Sequence, residues 1–94
     1  MSELIDGLKD PIASEDLEFE GLDGMRHVLT LVLGRPFQTS TGVWRCSFSH
    51  GVDGVMTQDS RGGPGRVSAV INAALTLAAA QERVLVSQAN HSPR

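Results

Sequence analysis

From residue 66 to residue 86 the chain contains neither glycine nor proline, although ten glycines and four prolines occur elsewhere in its 94 residues. Ala is abundant in this stretch. Val67, Val70, Ile71, Ala74, Leu77, Ala78, Gln81, Val84 and Leu85 recur at spacings of three and four, the period of a helix with one apolar face. A single helix of roughly five to six turns is therefore expected. On its other side, Ala69, Ala73, Thr76 and Ala80 form a row of small residues where a solvated helix would carry Lys and Glu. Small side chains permit close approach of another helix or a sheet, so this row is a candidate interface.

No comparable run exists upstream, where the pattern has a period of two. Leu17-Glu18-Phe19-Glu20 alternates apolar and acidic residues, and Asp23-Gly24 follows as a hairpin dipeptide. Residues 25–33 read as a second strand, with His27, Leu29, Leu31 and Leu33 on one face and Val28 and Val32 on the other. Gly34-Arg35-Pro36 is expected to end it, because proline cannot donate to a ladder. Residues 43–49 alternate most cleanly: Trp44, Cys46 and Phe48 face one way, Arg45, Ser47 and Ser49 the other. His50-Gly51 and Asp53-Gly54 supply turn chemistry before a short fourth strand from Val55 to about Gln58, and residues 59–65 read as a flexible connection.

Strands followed by one helix predict a single α+β domain, a four-stranded, mostly antiparallel sheet with the C-terminal helix on one face. The expected core is Leu29, Leu31, Trp44, Phe48, Val67, Ile71 and Leu75. The expected boundaries are an acidic extension over 1–14, the ββββα domain over 15–88 and a polar tail over 89–94. One helix leaves the opposite sheet face, with Val28 and Val32, in need of cover. A symmetric dimer is the commonest source of such cover.

The net charge of −3 conceals a division. Residues 1–24 hold eight carboxylates against Lys9, a net of −7, while residues 25–94 hold seven arginines against three acids, a net of +4. The acidic segment raises nucleic-acid mimicry as one role. The basic body raises anion or nucleic-acid binding through Arg35, Arg45, Arg61 and Arg66. Cys46 is the only cysteine, which excludes an intrachain disulfide and a cysteine-rich metal site. The acidic start lacks the charge pattern of a secretory leader, and no apolar run reaches membrane-span length, so a cytoplasmic location without membrane contact is expected.

No set of residues with catalytic spacing emerges. Cys46 and His50 share a strand face, but four residues of strand span roughly 13 Å, beyond hydrogen-bond reach. Trp44 and Phe48 flank Cys46 and favour an inert thiol. His27, His50 and His91 show no metal-ligand spacing with Asp53 or Asp59, and no cofactor motif is present. Arg61-Gly62-Gly63-Pro64-Gly65-Arg66 precedes the helix and is a candidate anion site at Arg61, Gly63, Gly65 and Arg66. It lacks the Gly-Lys-Ser/Thr ending of a P-loop, and its glycines equally suit a tight strand-to-helix connection.

Gly34-Arg35-Pro36, Trp44-Arg45-Cys46 and the Ala-rich helix with Leu75 resemble a family of small uncharacterised bacterial proteins, over roughly residues 17–86. The resemblance implies a ββββα domain and lends no catalytic residue. The expectation from the residues is a non-enzymatic interaction or regulatory domain acting as a homodimer or with another protein. The alternative is a small anion- or nucleic-acid-binding module.

Overall fold

The computed structural model describes residues 8–90, with side chains through residue 85. Four strands, β1 (Ala13–Glu20), β2 (Arg26–Gln38), β3 (Trp44–Val52) and β4 (Val55–Gly63), precede one long helix, α1 (Arg66–Asn90). The strands pair in sequence order and antiparallel throughout. The helix lies across β2, β3 and β4. The expected α+β architecture is present. The first seven residues of the expected acidic extension lie outside the described residues, as does His91.

Glycines set the turns. In the β1–β2 loop, Gly21 N–H donates to Met25 C=O at 2.8 Å and Gly24 N–H to Gly21 C=O at 3.0 Å. The β2–β3 loop repeats this pattern, with Thr39 N–H to Val43 C=O at 2.8 Å and Gly42 N–H to Thr39 C=O at 2.9 Å. Gly24 and Gly42 occupy the left-handed position of each, at φ 79° and 86°, as three-residue hairpin loops require. The β3–β4 connection is tighter: Asp53 and Gly54 both have positive φ, the mark of a two-residue type I′ turn.

All four strands run further than their sequence suggests: β1 begins at Ala13, and β3 continues to Val52 through His50 and Gly51, which pair on both sides instead of turning. Gly34-Arg35-Pro36 does not end β2, because Gly34 and Arg35 together oppose Ser47 as a bulge and Pro36 resumes pairing opposite Cys46. The β1 ladder stops at the pair Ala13 and Leu33. Beyond it β2 has a free side, where the missing proline N–H is tolerated. Likewise β4 continues through residues 59–63, which sequence assigns to a flexible connection, because Arg61 pairs with Cys46, Gly62 with Arg45 and Gly63 with Trp44. A Cβ on Gly63 would stand 2.7 Å from Ala69 N, so the glycine lets strand and helix meet. The folded region also starts before residue 15 and runs past residue 88.

The helix is turned from the expectation: Leu77 of the expected apolar face is buried, with Val70 and Val84 packed on the core, but the row of small residues lies inside as well and the first-half aliphatics turn outward. Ala69 and Ala73, both at 0% exposure, are buried together with Leu77 against Leu29, Leu31, Cys46 and Phe48, and Ala80 is buried at 3% further along the helix. Val67, Ile71 and Leu75, expected in the core, stand 71%, 51% and 62% exposed. The cause is steric: β2 and β3 raise large side chains toward the helix, and a row of small ones lets the backbone settle on them at close-packed density. Thr76, on the same side, returns its hydroxyl to Asn72 C=O at 2.9 Å. Ala69, Ala73 and Ala80 are therefore core residues and not an interface.

The opposite sheet face is mostly polar and small, with Phe37, paired to Arg45, and Met56, paired to Gly51, as its larger apolar members. Val28 and Val32 are half-buried there, with Val28 paired to Glu18 and Val32 flanked by Ser14 and Ser49. Ser47 is fully buried, and its hydroxyl has no hydrogen-bond partner among the described residues.

Two substitutions test this packing. Ala73→Leu inserts volume where the helix meets the sheet and should cost about 1–3 kcal/mol in denaturant unfolding. Ser47→Ala removes an unsatisfied hydroxyl and should leave stability unchanged or raise it by up to about 1 kcal/mol in the same measurement.

Candidate functional site

The meander determines which loops are neighbours. Its first and third connections lie at the same end of the sheet, together with the start of β2, and each carries an aspartate next to a glycine. His27 stands between them. Its Nδ1 lies 2.6 Å from Asp53 Oδ2, and its Nε2 lies 3.1 Å from both carboxylate oxygens of Asp23. Each aspartate is also fixed by backbone: Asp53 accepts Val28 N–H at 2.9 Å and Asp23 accepts Met25 N–H at 2.9 Å. Phe19 contacts the imidazole at a ring separation of 5.6 Å.

The hydrogen bonds from His27 to Asp53 and then Asp23 raise the imidazole above its ordinary 6.5, against partial desolvation. Asp53 is held below its ordinary 3.8 by His27 and by Val28 N–H. Asp23 is held below the same value by Met25 N–H and then by His27. Sequence separated these residues by 4 and 26 positions, and only strand order brings them together.

A second feature lies on the helix. Val67, Ile71 and Leu75 form an outward row, and Leu85 continues it toward the C-terminal end at 38% exposure. Beside the N-terminal half of that row, Ile12 and Pro36 join Val67, Val70 and Ile71 in an apolar groove. The groove exists because α1 does not cover β1 and because Pro36 continues β2 past the end of the β1 ladder. Sequence periodicity showed these apolar residues but gave no basis for placing them outside.

The other candidates are engaged internally. Arg66 lies over the Trp44 ring at 4.9 Å and Arg61 over the Phe48 ring at 5.6 Å. Arg61 also pairs with Asp59 at 3.4 Å. Arg45 donates to the Ser60 hydroxyl at 2.8 Å and to Ser60 C=O at 3.0 Å. Gly62 C=O accepts from Asn72 at 2.8 Å, Gly63 is pressed against the helix, and Gly65 C=O accepts Ala69 N–H as the helix begins. Arg35 meets Asp10 at 3.0 Å and Arg26 meets Glu18 at 2.7 Å, so the two charge blocks of the sequence recombine across the β1–β2 side of the fold.

Cys46 and His50 do not form a pair. The thiol is buried, lies 3.3 Å from Gly34 C=O and is pushed up by burial, while His50 stacks on Phe48. Among the described residues no group of His, Cys, Asp and Glu fits a metal ion, and no helix is long and apolar enough to cross a membrane. No protein-family model, curated protein or solved structure matches the chain.

The charge cluster gives stability a two-sided pH dependence. The His27 contribution is complete below its unfolded value near 6.5 and is lost as pH rises through the higher folded value. The Asp23 and Asp53 contributions are complete above 3.8 and are lost as pH falls through their lower folded values. Chemical denaturation across pH should therefore show a plateau between about 4 and 6.5 with a decline on each side, and His27→Gln should remove the alkaline decline.

Proposed function

We propose that the protein is a non-enzymatic interaction domain that acts as a homodimer, with the outward helix row of Val67, Ile71 and Leu75 as its contact surface. The exposure of these three large aliphatic side chains in one row carries the reading. A monomeric surface rarely presents such a contiguous apolar patch without a partner. The groove formed by Ile12 and Pro36 with Val67, Val70 and Ile71 extends the same surface and offers a recess for a partner side chain. A second copy is the partner of choice, because two-fold self-association is the commonest assembly of small soluble domains.

The features around this surface support the same choice. On the sheet face beyond the helix Val28, Val32 and Phe37 are half-buried and Met56 is 37% exposed, less than Val67, Ile71 or Leu75 of the helix row. Part of the β4 edge has side-chain partners: Asp59 accepts Ser60 N–H, Arg45 and Arg61 donate to Ser60 C=O, and Asn72 donates to Gly62 C=O. Anion or nucleic-acid binding draws less support, because Arg35, Arg45, Arg61 and Arg66 already have carboxylate, serine or aromatic partners.

Light scattering after size exclusion tests the reading. The native chain should be dimeric at tens of micromolar, and Ile71→Glu should be monomeric with an unchanged circular dichroism spectrum. A native chain that stays monomeric at high concentration would overturn the homodimer, and a dimeric Ile71→Glu would remove the helix from the interface.

A further inference from the structure

We propose that His27 is a proton-operated latch that joins the two hairpin tips at one end of the sheet and, on losing its proton, releases the β1–β2 loop. The geometry requires a charged imidazole. Both ring nitrogens face carboxylate oxygens, Nδ1 toward Asp53 and Nε2 toward Asp23. A neutral ring has one N–H and one lone pair, so it satisfies one aspartate and turns its lone pair on the other. Deprotonation therefore replaces an attraction with a repulsion at one of two defined contacts.

The contact that breaks is the one with Asp23. It is the longer, at 3.1 Å against 2.6 Å, and its aspartate belongs to the wider loop spanning residues 21–25. Asp53 is held in a two-residue turn and also accepts Val28 N–H from the adjacent strand, so it retains the ring. The loop packs closely when latched: a Cβ on Gly21 would come within 2.6 Å of the imidazole.

Every element around the imidazole contributes to the balance. β1 brings Phe19, the first loop Asp23, β3 Val52, the β3–β4 turn Asp53 and the helix Arg83 and Val84, which line the same cleft. Arg26, next to His27, is paired with Glu18. Two anions thus face the ring, Arg83 lines the same cleft, and the aspartate bonds hold the proton on His27 to higher pH than an ordinary histidine. The cleft is lined by Phe19, Val52 and Val84 together with Leu22 of the loop itself, so release of the loop carries Leu22 off and uncovers Phe19, Val52 and Val84.

Nuclear magnetic resonance titration of the full chain between pH 5.5 and 9 reads the latch directly. The His27 ring should titrate above 6.5, and the Met25 amide, whose acceptor is Asp23, should shift with the same midpoint while the Val28 amide moves little. In Asp23→Asn the His27 midpoint should fall toward its ordinary value and the Met25 response should disappear. In His27→Gln the Met25 amide should be insensitive to pH over this range. A His27 midpoint at or below 6.5, or a Met25 amide that does not follow it, would overturn the latch. The Asp23→Asn titration decides the matter even if His27→Gln does not fold.

Discussion

The contact between a helix face of small residues and a sheet face of large ones governs the rest of this molecule. Phe48, Leu29 and Leu31 rise from the central strands, and Ala69 and Ala73 give the helix backbone room to approach them. Gly63 makes the same concession at the start of the helix, where β4 passes close to Ala69. Turning the helix to bury Ile71 and Leu75 would place bulky side chains from both layers in one space, which close-packed interiors do not accommodate. The outward row of aliphatic residues is the direct consequence.

Strand order has a comparable effect on charge. In sequence, acids and arginines form separate blocks, which invites thoughts of long-range fields. The β1–β2 pairing sets Glu18 beside Arg26, and the approach to β1 sets Asp10 beside Arg35. Asp23 and Asp53, from turns far apart in the chain, converge on His27. Exposed pairs of this kind add little stability singly. Their main consequence is to consume the charge that an anionic ligand would need.

The two surfaces that remain differ in kind. The helix row is apolar and exposed among the described residues, and it carries the proposed self-association. The His27 end is a charged cluster over an apolar cleft and is responsive by construction, because its geometry depends on one proton. The row is centred on Val67, Ile71 and Leu75 in the first half of the helix, and the cleft draws on Arg83 and Val84 near its other end.

The sequence alone determined the elements and their order. Alternation around Trp44, Cys46 and Phe48, the turn glycines, and the long stretch without glycine or proline sufficed for a ββββα chain, since period and turn chemistry are local properties. Strand extents were less legible: the bulge at Gly34 and Arg35, and the continuation of β4 through Gly63, depend on a neighbouring strand that supplies partners. The helix face and the His27 cluster lay beyond local reach. Periodicity shows that a helix has an apolar side and a small side, but which side is buried depends on the volume the sheet presents, and which aspartates meet a histidine depends on where the chain returns. Packing and topology made those two decisions, and both candidate sites follow from them.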